Sequence, residues 1–459
     1  MTKILSLVHG LVWGAPALCG ILGVGIWFSV RTKLAQVTLF PESCRLFFRR
    51  LLGSQTRGTG VPPFQALCTA LAATVGTGNL VGVAGAICIG GPGAILWMWV
   101  CGVLGMIIKC AEVTLAVHYR RKRKDGFVGG PMYIIRDGMG SRWLWLGKCY
   151  AFLGVIAAFG VGNATQINAV VGGLNRVLPE LTGSAELRRN LGLGLILAVL
   201  AGCVLLGGAK RIGQAAELLV PFASLAYIAL CLVALGRNAA EIPAALGAIF
   251  RGAFSPKSVT GGVVGSGFLA LRTGCARGVF TNEAGMGTAS MAHASASADH
   301  PVEQGLMGVM EVFADTIVIC TLTALVILTS GISIPYGVDA GAAVTDRAFR
   351  AVFGSGASVF LTGALCCFAF ATVLGWGLYG LRCAQFLFGD RISFGFALVQ
   401  TLAVIPGAVL PTGTVWLAAE ILNGLMVIPN LWMLAALAPQ FFRLIQEYKG
   451  KSGTFASGG

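Results

Sequence analysis

Two runs rich in glycine and polar residues interrupt apolar segments that are otherwise long enough to cross a bilayer. They are Thr74-Val75-Gly76-Thr77-Gly78-Asn79 and the stretch Gly278–Gly287 (Gly-Val-Phe-Thr-Asn-Glu-Ala-Gly-Met-Gly). Backbone within hydrocarbon must satisfy its own hydrogen bonds, so an unwound stretch survives there only where protein buries it or where it lines a wet cavity. The two runs also correspond. Shifted by 204 positions, Phe64–Asn79 overlays Phe268–Glu283 with seven of sixteen positions identical, among them Thr69/Thr273, Val75/Val279 and Thr77/Thr281. This pattern predicts an internal duplication in which each half carries one broken helix.

Composition fixes the environment. The 459 residues are 56% hydrophobic and only 11% charged, against about 25% charged in a soluble chain. A polytopic membrane protein is therefore expected, and its 66 glycines suit close helix contacts in lipid. The net charge of +15 does not point to nucleic acid, because the basic residues sit in loops between apolar segments, where they set topology. The 14 cysteines contain no Cys-x-x-Cys pair and fall mostly inside apolar segments, where they read as small hydrophobes. Lys3 before an apolar run imitates a signal peptide, but the run continues to Val30, well beyond the roughly 7–15 residues of a secretory apolar region. An uncleaved first span is expected.

A spanning helix needs about 20 apolar residues. Eleven candidates emerge, at 4–30, 64–89, 92–117, 145–174, 190–208, 215–236, 258–297, 303–331, 357–388, 392–410 and 414–437. The expected fold is all-α, with an extra N-terminal helix followed by two sets of five. Each set opens with a discontinuous helix, and an odd number per set inverts one set relative to the other. The corresponding divisions are 1–30, the extra span; 31–63, a cytoplasmic connection; 64–236, the first repeat; 237–257, an extracellular loop with an interfacial helix; 258–440, the second repeat; and 441–459, a cytoplasmic tail. With 31–63 inside, 20 Lys and Arg lie on the cytoplasmic face and 9 on the other, placing the N-terminus outside and the C-terminus inside. Residues 450–459 read as disordered, and a short element is expected after Gly129-Gly130-Pro131.

An unwound segment leaves half-helix ends inside the membrane. One presents free N–H groups and partial positive charge, which suits a carboxylate. The other presents carbonyls, which suit a sodium ion or an α-amino group. Gly76 and Gly78 permit close backbone approach. Thr77 and Asn79 add side-chain hydrogen bonds, with Asn79 placed to cap the half-helix that follows. The chemistry complements a small zwitterion, whereas glycines that merely pack helices would not need Thr and Asn beside them.

Other polar groups in the spans keep two readings each. Gln166 is a pocket wall or an interhelical hydrogen bond, and for Asn163 and Asn168 the structural reading is preferred. Thr372 either completes an oxygen cage for sodium or bonds its own helix carbonyl. Trp376, one turn on, either closes the pocket or belongs to the core. Lys109 and Glu112 are expected to pair within their helix. Glu283, Glu311 and Asp315 stand open between functional and structural roles, while His293 and His300 read as structural.

Several motifs together resemble those of the alanine/glycine:cation symporter family. They are Ala73–Asn79, Gly90-Gly-Pro-Gly93, Gly129-Gly-Pro-Met-Tyr133, Thr281–Gly287, Asp299-His-Pro301 and Glu311–Thr316. The resemblance runs from about Phe64 to the end of the last span. It implies a leucine-transporter-like core and cation-coupled uptake of alanine or glycine. By that likeness, the backbone of Thr77 and Gly78 holds the carboxylate. The carbonyls of Ala72 and Val75, with Thr372, hold sodium, and Phe280 and Thr281 line the pocket from the second break. The chain departs from the family pattern at Ala371, where Ser or Thr is usual, at Ser290, where Pro is frequent, and at Leu381, where an acid is frequent.

The expected function is thus a sodium symporter for small neutral amino acids in the bacterial cytoplasmic membrane, working by alternating access. Substrate-binding residues are Gly76, Thr77, Gly78, Asn79, Gln166, Phe280, Thr281 and Trp376, with Ala72, Val75 and Thr372 on sodium. Phe280, Trp376 and Gln166 would restrict side-chain size. No cofactor is expected beyond the coupling ion. The alternatives are proton coupling and, further off, a small-solute channel. An intramembrane enzyme would need a catalytic constellation such as His-Glu-x-x-His or Gly-x-Ser-x-Gly, and neither occurs.

Overall fold

The computed structural model describes residues 2–52, 60–123, 126–255, 257–264, 266–410 and 412–456. Among them, regular structure is helical apart from one antiparallel hairpin, Arg121–Arg123 with Gly126–Val128, and one isolated bridge. Eight helices are long and apolar enough to span a membrane: Leu7–Arg31, Ala94–His118, Ser141–Val177, Gly183–Leu205, Gly208–Arg237, Pro301–Thr329, Gly356–Phe388 and Val415–Ala436. A ninth span forms if Pro63–Thr74 and Gly78–Gly90, bent by 50° across their break, count as one.

Two of the eleven expected spans take another form. In 258–297 the helix Gly267–Asn282 ends at Glu283, which is left-handed at φ 53°, and the chain then turns through Gly285 and Gly287 into the short helix Ser290–His293. In 392–410 the helix Ser393–Leu402 yields to Val404–Gly407, because Pro406 has no N–H to give the carbonyl of Leu402. The expected helix in 237–257 forms as Ile242–Phe254, and Pro131–Ile134 follows the glycine pair. The tail does not end in disorder at 450. Its helix runs Ala438–Ala456, and 457–459 lie outside the described residues.

Helix Ala94–His118 lies at the centre, packed on Ala15–Arg31, Gly267–Asn282 and Pro301–Val312. Every residue from Gly105 to Val117 is buried, on all sides of the helix. A polar side chain there has no water to reach and must find a partner on another element. Gly356–Phe388 plays the same part for the first break, packed on Pro63–Thr74, Leu144–Phe159, Thr165–Val177 and Gly208–Arg237. Gly183–Leu205 and Gly208–Arg237 instead expose Leu195, Ile196, Val199, Leu218, Phe222 and Leu225. Apolar side chains exposed on this scale suit contact with lipid rather than water.

Candidate functional site

The first broken helix leaves α geometry at Val75 (φ −75°, ψ 98°) and resumes as a single π turn, Gly78–Gly82, before Val83–Gly90. Asn79 does not cap the half-helix that follows. Its Oδ1 accepts the N–H of Gly76 at 2.9 Å, and its own N–H donates to Gly76 O at 3.3 Å. The side chain points back into the break because its Nδ2 donates to Asp315 Oδ1 at 2.7 Å.

The two breaks meet. A Cβ on Gly78 would lie 2.9 Å from Thr281 Cγ2 and 3.3 Å from Phe280 Cδ1. One on Gly76 would lie 2.6 Å from Thr372 Oγ1 and 3.5 Å from Gln166 Oε1. Only glycine admits this approach. Gly76, Gly78, Gln166, Phe280, Thr281 and Thr372, scattered over some three hundred residues of sequence, therefore converge, with Trp376 packing its Cβ and ring against Gly162, one turn before Gln166. Ala72 packs nearby in a small cluster with Ala371, Ala216 and Val220, so position 371 offers a methyl group and no hydroxyl. Val75 packs with Leu80, Tyr227 and Phe368.

Hydrogen bonds account for most, but not all, of the polar groups at this point. Thr372 Oγ1 donates to Phe368 O at 3.0 Å, within its own helix, while also facing Gly76. Gln166 Nε2 donates to Val161 O and to Thr165 Oγ1, each at 3.2 Å. Its Oε1, and Thr77 Oγ1, are buried with no hydrogen-bond partner among the described residues. Buried polar atoms are rarely left this way, and both are available to a ligand. Asn163 and Asn168 bond across helices, to Gln400 O and Leu410 O at 2.7 Å each.

A chain of side chains ties the breaks together. Asn79 bonds Asp315 Oδ1, Thr316 Oγ1 donates to Asp315 Oδ2 at 2.9 Å, and Asn282 Nδ2 donates to Thr316 Oγ1 at 3.0 Å. Asn282 Oδ1 then accepts the N–H of Ala284 at 2.9 Å. Asp315 thus reaches the backbone of both unwound segments through one intermediate side chain on the first side and two on the second. Its position inside a span marked it in the sequence, but Asn282 carried no signal beyond its place in the second run.

The expected Lys109–Glu112 pair does not form. Lys109 Nζ lies 3.4 Å from Glu311 Oε1 on a neighbouring helix, and both side chains are fully buried. Glu311 Oε2 also meets His293 Nε2 at 2.9 Å, and His293 Nδ1 meets Gln304 Nε2 at 2.7 Å. Glu112 turns instead to the second break. Its Oε1 accepts the N–H groups of Gly285 (2.9 Å) and Gly287 (3.0 Å) and Nδ2 of Asn430 (2.7 Å). One carboxylate oxygen thus gathers three donors and holds the reversed loop in shape. Sequence proximity suggested the wrong partner because the helix is buried all round, and neighbours across helices are as near as those along it.

Two clefts flank the site. The larger, about 630 Å³, is lined by Val81, Arg176, Arg277, Asp339, Trp416 and Glu420. The smaller, about 310 Å³, is lined by Gln65, Thr69, Lys210, Ser295, Leu378 and Arg382 among others. Val81 follows the first break while Gln65 and Thr69 precede it, so the clefts lie on opposite sides of it. The residues between are closed off: Thr77 and Trp376 are 0% exposed and Thr281 is 1%. Phe280 stacks on Trp416, with ring centroids 5.4 Å apart, where the larger cleft ends.

The family model described as the sodium:alanine symporter family matches residues 1–455. The chain belongs to the sodium:alanine symporter family. The sodium/alanine symporter AgcS of Methanococcus maripaludis is 39% identical over 94% of this chain and 93% of its own length. The probable sodium/glutamine symporter GlnT of Bacillus subtilis is 36% identical over 98% of this chain and 91% of its own. These relatives are transporters, not enzymes. Among solved structures, MhsT in complex with L-phenylalanine superposes with a TM-score of 0.56 at 15% identity, covering 85% of this chain and 99% of that one. This is a likeness of fold. As a member of the sodium:alanine symporter family the chain is a multi-pass membrane transporter of amino acids.

Proposed function

We propose that this symporter carries alanine and glycine, driven by sodium, into the cell, with the N-terminus outside and the larger cleft opening outward. The observation that carries the reading is the meeting of the two breaks. Gly76 and Gly78 face Thr281, Phe280, Thr372 and Gln166 at contact distance, buried from both clefts. Backbone N–H groups at Thr77 and Gly78 would take the substrate carboxylate, as the end of a half-helix favours. The orphaned Gln166 Oε1 and Thr77 Oγ1 would accept from the α-ammonium. Carbonyls of Ala72 and Val75 with Thr372 Oγ1 would hold sodium through oxygen alone. Phe280 and Trp376 would limit the substrate to a small side chain.

A buried meeting point of the two breaks, between two clefts, supports alternating access rather than an open pore. The test is uptake of labelled alanine and glycine by proteoliposomes under an inward sodium gradient or an inward proton gradient. Accumulation is expected with sodium alone. Uptake that follows only the proton gradient would replace the coupling ion, and flux without saturation would favour a channel.

A further inference from the structure

The N-terminal helices Thr2–Val12 and Ala15–Arg31 supply none of the side chains that face Gly76 and Gly78, though Ile21 lies against Gly285 of the second break, and they reach one carboxylate at the mouth of the larger cleft. Glu420 Oε1 pairs with Arg277 Nη1 at 2.8 Å. Its Oε2 meets His9 Nε2 at 2.7 Å, and its backbone carbonyl accepts from Trp13 Nε1 at 2.7 Å. One turn on, Gly424 packs so closely on Val12 and Trp13 that a Cβ there would collide with them.

Arg277 and Phe280 are three residues apart on Gly267–Asn282, the helix that leads into the second break. Trp416 and Glu420 are four apart on Thr412–Ala436. The two helices are therefore joined by two adjacent rungs, the Arg277–Glu420 ion pair and the Phe280–Trp416 stack. Phe280, beside Thr281, also faces Gly78. Arg277, Trp416 and Glu420 line the larger cleft while Phe280 faces Gly78, so the rungs stand between that cleft and the first break. Arg277 holds Asp339 with its other nitrogen at 3.0 Å, so it spans the cleft wall on both sides.

We propose that His9 and Trp13 act as positioning residues for a gate. By fixing Glu420 from behind, they keep it aligned on Arg277 and so hold the larger cleft closed against the pocket. A carboxylate with one oxygen anchored loses little freedom when the other forms an ion pair, which makes the rung stronger than a free surface pair. The extra N-terminal segment then has a task, setting how readily the pocket opens toward the larger cleft. The use made of such a gate rests on the alternating-access reading above; its existence does not.

The test measures access without transport. In purified protein in detergent, Thr281→Cys reports the pocket and Ser295→Cys reports the smaller cleft. Labelling by a hydrophilic maleimide is followed peptide by peptide, which separates each added thiol from the 14 native cysteines. Glu420→Gln should raise the labelling rate at position 281 about tenfold, the scale of one charge-assisted hydrogen bond. His9→Ala and Trp13→Phe should each raise it about threefold, and His9→Gln, which retains a hydrogen-bonding nitrogen, should restore the slow rate. Labelling at position 295 should stay unchanged. If Glu420→Gln fails to purify, Trp13→Phe, which keeps the ring in place, decides alone. An unchanged rate at 281, or equal increases at 281 and 295, would overturn the gate. Because no alanine or sodium is added, a failure of the transport reading would leave this result standing, and the reverse also holds.

Discussion

Replacing Asn79 by Ala removes two bonds that define the first break. The Gly76 N–H loses its acceptor at 2.9 Å, and Asp315 Oδ1 loses its donor at 2.7 Å. Both partners stay buried, since Asp315 is 0% exposed. An unsatisfied buried neutral group costs about 1–3 kcal/mol and a charged one more, so the break is destabilised by roughly 3–5 kcal/mol. The spanning helices lose no packing surface beyond one small side chain, and the protein should still insert and purify. At about 1.4 kcal/mol per factor of ten, the equilibrium constant for the correctly formed break, and with it the binding geometry it holds, is weakened by more than about a hundredfold. Sodium-driven alanine uptake in proteoliposomes, expressed as kcat/KM, should drop by at least that factor, while the yield of monodisperse protein falls little. Uptake within about threefold of the parent would mean that this geometry does not shape the substrate site, and the argument from the breaks would fail.

Three further outcomes are expected. Gly78→Val should abolish uptake, because its first added carbon alone would lie 2.9 Å from Thr281 Cγ2; labelled-alanine binding to purified protein checks this, and retained binding would contradict it. Thr372→Ala should raise the sodium concentration for half-maximal uptake by about tenfold, the scale of one lost polar contact, while an unchanged sodium dependence would leave the hydroxyl as a helix-bonding group only. Lys109→Met leaves Glu311 Oε1 without its buried cation at 3.4 Å, with only His293 still on Oε2, so unfolding in mild detergent should need about 3 kcal/mol less. The double variant Lys109→Met with Glu311→Gln should recover much of that loss, and strictly additive losses would show that the two do not interact.

The parts of this structure legible in the sequence were those that obey local rules. Glycine pairs inside apolar segments announced both breaks, the first run supplied Gly76 and Gly78, and the family resemblance pointed to Phe280, Thr281 and Thr372. Gln166 and Trp376 were legible as polar or bulky groups in spans, though not their facing of Gly76 and Gly162. What stayed hidden depends on three dimensions. Glu112 reaches across 173 positions to the loop at Gly285, and no spacing rule along one helix encodes that. The segment 258–297 looked like one broken span because apolar composition continues through it, whereas the positive φ of Glu283, Gly285 and Gly287 turns the chain instead. The Arg277–Glu420 rung joins residues far apart in sequence, and its anchor at His9 lies in a helix that the repeat pattern sets aside.

The structure of this symporter with L-alanine and sodium bound tests the two-break site most directly. The amino acid should lie between Gly78 and Thr281, its carboxylate within about 2.7–3.2 Å of backbone N–H groups of the first break and its methyl group toward Phe280 and Trp376. Alanine found only in one of the two clefts, with Gly76 and Gly78 untouched, would contradict it.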